Sequence, residues 1–119
     1  VRLFISFLLL IAPLFSQIND QWVKDRAISL SATFVRFADT KSMVPLITKD
    51  TLGIAKFTSE CGLNDIVIYH DGEKLISHRV IFDTGNSVLT KGDALFLPDR
   101  WKVKSAILYR VIELHEVYY

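Results

Sequence analysis

The sequence predicts a small, mainly β domain behind an apolar N-terminal helix or anchor. Three observations carry that expectation. Residues Leu3 to Phe15 (LFISFLLLIAPLF) contain no charge. Beyond residue 25 the apolar residues come in short runs rich in Val, Ile, Phe and Tyr, without long helical periods. Two of those runs end in turn signals, His70-Asp71-Gly72 and Asp83-Thr84-Gly85-Asn86, which is hairpin chemistry. Size and composition agree with a single core: 119 residues, 50% apolar, net charge +1. That balance excludes a disordered chain. With 14 basic against 13 acidic side chains, it also excludes a protein that works by neutralising phosphates, so no nucleic-acid partner is expected. A single cysteine, Cys61, excludes an internal disulfide framework and a multi-cysteine zinc site.

Each element follows from local composition. The Leu3–Phe15 run, with Arg2 before it, has the length of a signal-peptide core and falls short of the roughly 20 residues of a full membrane span. Three readings stand: a membrane anchor or uncleaved signal extended by residues upstream, a cleaved signal, or a buried core segment. The first is favoured, because Pro13 would kink a helix there and a bilayer tolerates such a kink better than a soluble helix interior does. Composition turns mixed after Gln17, which divides the chain into an apolar segment, 1–18, and a β domain, 19–119. Residues 15–28 read as a short helix or a linker. Strands are expected over Ser29–Phe37, Thr51–Phe57, Asp65–Tyr69, Lys74–Phe82 and Ser87–Thr90. Val103–Leu114 reads as a strand, although its 12 residues could also make a helix.

Four short pieces carry chemistry. They are Thr40-Lys41-Ser42-Met43-Val44-Pro45, Gly62-Leu63-Asn64-Asp65-Ile66-Val67-Ile68-Tyr69, Ser77-His78-Arg79-Val80-Ile81, and Thr90-Lys91-Gly92-Asp93 followed by Asp99-Arg100. In this order they resemble the type I signal peptidase family, in the serine–histidine branch found in the endoplasmic reticulum, in archaea and in some bacteria. The resemblance covers roughly residues 38–113 and rests on the ordered set, since Ser-Met-x-Pro or His-Arg-Val alone is weak. By resemblance, Ser42 is the nucleophile and His78 the general base. Asp99 is the acid that orients the histidine, and Asp93 is a second acid of the same region. Thr40 stands where the family often has a serine whose hydroxyl assists the oxyanion, and the backbone N–H of Ser42 would be the other donor.

Those residue types suit the task on physical grounds. A serine hydroxyl is a poor nucleophile at neutral pH without a base in hydrogen-bond reach. An imidazole can accept and return that proton near neutrality, so activity is expected to fall on the acid side, in the general imidazole range of roughly 6–7. A carboxylate behind the ring fixes the tautomer and stabilises the imidazolium as it forms. One oxyanion donor is typically worth about 3–4 kcal/mol of barrier. Pro45 is expected to hold the Ser42 turn out of a strand ladder. Lys41 reads as a solvated charge, His70 and His115 match no motif, and Cys61 reads as structural.

The match departs from the family in places. Lys41 replaces a glycine just before the nucleophile, Ala94-Leu95 replace two asparagines after Asp93, and Lys49-Asp50 and Tyr109-Arg110-Val111 replace a Gly-Asp and a Gly-Lys-Val. The implied function is a membrane-associated serine endopeptidase, single-pass, with its catalytic domain outside the cytoplasm. It would cleave signal peptides or similar extended segments of exported proteins, preferring small residues before the cleaved bond, and no metal or organic cofactor is implied. The chief alternative is a non-catalytic relative that binds extended peptides. A self-cleaving serine–lysine repressor peptidase and a plain secreted β domain with accidental motifs rank below it.

Overall fold

The computed structural model describes residues 18–117, so the apolar run Leu3–Phe15 lies outside the described residues. Within them the chain forms one helix and a seven-stranded antiparallel sheet. In chain order the elements are α1 (Asp20–Ser29), β1 (Thr33–Arg36), β2 (Thr51–Phe57), β3 (Ile66–Asp71), β4 (Lys74–Asp83), β5 (Ser87–Lys91), β6 (Lys102–Val103), a 3-10 turn (Lys104–Ala106) and β7 (Ile107–Glu116). Across the sheet the order is β1-β2-β7-β3-β4-β5-β6. The last strand crosses back between β2 and β3, so residues far apart in sequence meet at the sheet centre.

The boundaries differ from the sequence expectation at three places. Ser29 ends α1, and a turn through Ser31 at φ 52° delays β1 to Thr33. β6 is too short, at two residues, to leave a periodic signature. Val103 belongs to β6, and the 3-10 turn separates it from β7, which is a strand and not a helix.

α1 forms because Asn19 caps it, its side chain accepting from the Trp22 N–H at 3.0 Å, with Asp20 in the first turn and Arg26 in the last. Only Val23 and Ala27 of the helix are buried, four residues apart on one stripe. They pack on Leu52, Ile54 and Val117, with Phe34 alongside. At the centre of the sheet, β3 is buried along Ile66–Tyr69 and paired on both sides, to β4 and to β7. Its alternate residues feed two cores. Val67 and Tyr69 meet Val80, Val88 and Ile107, whereas Ile66 meets Met43 and Ile47. Full burial of each such aliphatic side chain stabilises the fold by about 1.5–3 kcal/mol.

The β3–β4 hairpin sets the register on which the site depends. Asp71 pairs with Lys74, leaving Gly72 and Glu73 as the loop, with Gly72 at φ +66° where a side chain is disfavoured. From that turn the pairing runs Tyr69↔Ile76, Val67↔His78 and Ile66↔Arg79. His78 therefore faces the Val67 and Tyr69 side of the sheet, and Arg79 faces the Ile66 side.

Candidate functional site

Ser42 lies on the turn between β1 and β2, anchored from both flanks. Downstream, Met43 and Ile47 are buried against Ile66, and the Ile47 N–H donates to the Met43 carbonyl at 3.0 Å. From the far side, the Ala94 N–H donates to the Ser42 carbonyl at 2.9 Å and the Asp93 N–H points at Met43 Sδ at 3.2 Å. This close approach requires Gly92: a Cβ there would stand 2.8 Å from the Ser42 carbonyl oxygen. Lys41 sits at φ +64°, in the left-handed region, with its side chain exposed. That conformation accounts for a glycine being the expected residue before such a nucleophile. The Val44–Pro45 peptide is cis, and the turn runs outside the ladder, as the proline implies.

The serine hydroxyl meets two partners. Ser42 Oγ is 3.3 Å from His78 Nε2 and 3.1 Å from Thr40 Oγ1. The Ser42 N–H is directed at Thr40 Oγ1 at 3.5 Å, a weak contact that brings the two expected oxyanion donors to the same side of the nucleophile. His78 is buried, and its Nδ1 lies 2.6 Å from Asp99 Oδ2. With Nδ1–H donating to the carboxylate, Nε2 is left as an acceptor for the serine proton.

Asp99 is itself held from several directions. Its N–H donates to the Thr90 carbonyl at 2.8 Å, which fixes the loop after Pro98 to β5. Its Oδ2 accepts from Tyr69 OH at 2.8 Å and from Thr90 Oγ1 at 2.7 Å. Burial works to raise the Asp99 carboxyl, but the hydrogen bonds from His78, Thr90 and Tyr69 outweigh it, and the group is held below the ordinary carboxylate value. Burial, together with the neighbouring Asp99, pushes the Tyr69 phenol far above its ordinary value, so Tyr69 remains a donor. The Lys102 ammonium donates to Thr90 Oγ1 and to the Arg100 carbonyl, each at 2.8 Å, and lies 4.2 Å from the Tyr69 ring centroid. Burial lowers it from the ordinary lysine value, against the pull of Asp99 and Asp71.

Ser42, His78, Asp99 and Thr40 thus converge, whereas Asp93, expected as a second acid of the same region, bonds through its carboxylate to neither the serine nor the histidine. Its carboxylate grips Arg79 with two bonds of 2.9 Å, and that ion pair holds it below the ordinary range. Strand alternation is the cause: Arg79 follows His78 on β4 and points to the other face. Asp93 contributes through its backbone, which supports the Ser42 turn. Tyr69 and Thr90 belong to two of the motifs, with no site role read from them, and Lys102 stands outside all of them. Register counted back from the Asp71-Gly72 turn would have put Tyr69 on the His78 face, but nothing in the sequence marks Lys102.

Phe37, Met43, Ile47, Leu75 and Ile76 line a cleft beside Ser42 and His78, with an empty volume of about 440 Å³ that is partly open to solvent. β5 pairs with β4 only from Arg79 onward, so β4 residues 74–78 have a strand partner on one side alone among the described residues. Elsewhere, His70 is exposed at the end of β3. His115 is buried, bonded to Glu113 at 2.7 Å and edge-on to Trp22. The Cys61 thiol is half-buried, and that burial pushes it above its ordinary value. Among the described residues no three His, Cys, Asp or Glu side chains are grouped to hold a metal, and no helix is long and apolar enough to cross a membrane. No family model, curated protein or solved structure matches the chain.

Proposed function

We propose that this chain is a serine endopeptidase of the type I signal peptidase kind, acting on extended segments of exported proteins. The observation that carries the reading is the unbroken line from Thr40 Oγ1 and Ser42 Oγ through His78 to Asp99, at the wall of a cleft of mixed polar and apolar lining. In the proposed reaction Ser42 Oγ bonds to the scissile carbonyl carbon while its proton passes to His78 Nε2. The Ser42 N–H and the Thr40 hydroxyl donate to the oxyanion. His78 then gives its proton to the departing amine as the C–N bond breaks. A water molecule then gives a proton to the same nitrogen and bonds to the acyl carbon, and the Oγ–C bond breaks as His78 returns that proton to Ser42 Oγ. Asp99 stays ionised throughout, holding Nδ1–H. A Ser42–His78 separation of 3.3 Å without substrate is within the looser range of resting serine–base pairs.

The substrate side of the proposal rests on the free side of β4 over residues 74–78, next to the cleft. An extended peptide adding there gains main-chain hydrogen bonds and offers alternate side chains to the cleft, where Phe37, Met43, Ile47, Leu75 and Ile76 supply the apolar contacts. Attachment to a membrane with the catalytic domain outside the cytoplasm rests on the uncharged Leu3–Phe15 run. The relay needs neither metal nor organic cofactor.

The test is peptide cleavage at a small-x-small site by the full chain and by Ser42→Ala. Loss of activity by at least a thousandfold in the variant, with binding of the peptide retained, is the expected result. Equal inertness of both chains, with the peptide still bound, would leave a peptide-binding module instead.

A further inference from the structure

Lys102 makes no contact with the serine or the imidazole, yet it touches both groups that flank the acid behind the imidazole. Its ammonium has only protons to give. By donating to Thr90 Oγ1 at 2.8 Å it occupies an acceptor site of that hydroxyl, whose single proton is then directed to Asp99 Oδ2 at 2.7 Å. Its charge also sits 4.2 Å from the centre of the Tyr69 ring, and the Tyr69 hydroxyl donates to the same carboxylate oxygen. That one oxygen, Asp99 Oδ2, therefore accepts from His78, Tyr69 and Thr90 together. Charge shared among three donors is less available to hold a proton on the imidazole.

We infer that Lys102 and Thr90 are positioning residues that set the protonation equilibrium of His78 through Asp99. The inference rests on the proposed relay for its catalytic meaning, but not for its physical content. Removing the cation, or the hydroxyl it orients, leaves Asp99 with fewer competing donors and strengthens its hold on an imidazolium. Both changes raise the affinity of His78 for its proton.

The other charged and titratable groups around His78 are accounted for. From β3 come Tyr69 and, further along, Asp71, whose charge also acts on Lys102. From the turn after β5 comes Asp93, whose charge is already paired with Arg79. From the nucleophile turn come Ser42 and the exposed Lys41, which lines the cleft. None of these changes in the variants below.

The experiment is NMR titration of the histidine ring protons in the full chain, compared with Lys102→Met, Thr90→Val and Thr90→Ser. His78 is assigned by its disappearance in His78→Gln. The expected result is an upward shift of the His78 midpoint by about half a pH unit or more in Lys102→Met and Thr90→Val. Thr90→Ser, which keeps the hydroxyl, restores the wild-type midpoint. The acid limb of peptide cleavage should move with it. A His78 midpoint unchanged in both Lys102→Met and Thr90→Val, with only melting temperature lowered, would show that these residues merely join β5 to β6 and would overturn the inference. Should Lys102→Met not fold, the Thr90→Val and Thr90→Ser pair decides alone. Absence of cleavage by the wild type would defeat the peptidase reading while leaving the titration result to stand or fall by itself.

Discussion

Asp93 and Asp99 lie six positions apart, and the resemblance makes Asp99 the acid that orients the histidine and Asp93 a second acid of the same region. The sheet separates them. Asp99 reaches His78 at 2.6 Å, and Asp93 closes a two-bond ion pair on Arg79 across the other face. Their amide variants should therefore fail in different ways. Asp99→Asn puts an amide where the Nδ1 proton must be accepted, which favours the wrong tautomer. Its kcat on a cleavable peptide should drop by about three to four orders of magnitude. Asp93→Asn keeps the backbone N–H beside Met43 and so keeps Ser42 in place. It should cost no more than about 1 kcal/mol in urea unfolding, because the weakened Arg79 pair is exposed to solvent, with kcat reduced less than tenfold. Equal loss of kcat in the two variants would refute this division. At this scale the residues that converge, Ser42, His78, Asp99 and Thr40, were legible, because each stands in a short motif. The hydrogen bonds that Tyr69 and Thr90 give Asp99, and the place of Lys102 beside them, were not, because these residues come from three different strands and meet only once register is fixed.

Elements were legible where local composition is strong. The runs over Thr51–Phe57, Lys74–Asp83 and Ser87–Lys91 are strands almost to the residue, since β-branched runs bounded by Gly and Asp leave the backbone little choice. β6 was not, because two residues hold no period, and its place is fixed by pairing of Ser87 with Val103 and Val88 with Lys102. α1 was half legible: its cap is readable, but only one narrow stripe is apolar. A helix so polar holds its place by tertiary contact rather than by propensity. Two kinds of contact do this, Val23 and Ala27 in the core of β2, and Arg26 bound through two bonds to Glu113 of β7. Val23 is fully buried, so Val23→Ala removes two methyl groups and leaves a void. It should destabilise the chain by about 2–3 kcal/mol in denaturant unfolding. No residue of α1 lines the cleft, so kcat per folded molecule should stay at the wild-type value. A drop in kcat at full folding would mean that α1 positions the nucleophile turn.

Across the whole molecule, carboxylates act as clamps between distant elements, and this gives the fold a distinct response to acid. Glu113 joins β7 to α1, Asp93 joins the turn after β5 to β4, Asp99 joins the loop after Pro98 to β3, β4 and β5, and Asp83 joins the end of β4 to Lys104 of the 3-10 turn. All four carboxyls are held below the ordinary value. The Gly85 N–H and Lys104 do this for Asp83, and Arg79 does it for Asp93. For Asp99 and Glu113 burial works the other way and is outweighed, at Asp99 by His78, Thr90 and Tyr69 and at Glu113 by Arg26 and His115. A group whose folded pKa is depressed binds its proton more readily when unfolded. Its stabilisation is therefore complete above the unfolded carboxylate range, near pH 4, and is lost as pH falls through the lower folded values. The urea midpoint should accordingly lose these four contributions only below about pH 4, and molar NaCl should shrink the loss at the more exposed pairs. Under the proposed relay, activity depends instead on an unprotonated base, so acid should first yield a folded, inactive chain that regains activity on neutralisation. A fall in activity that tracks the unfolding curve point for point would contradict His78 as the base and return the acid sensitivity to the fold.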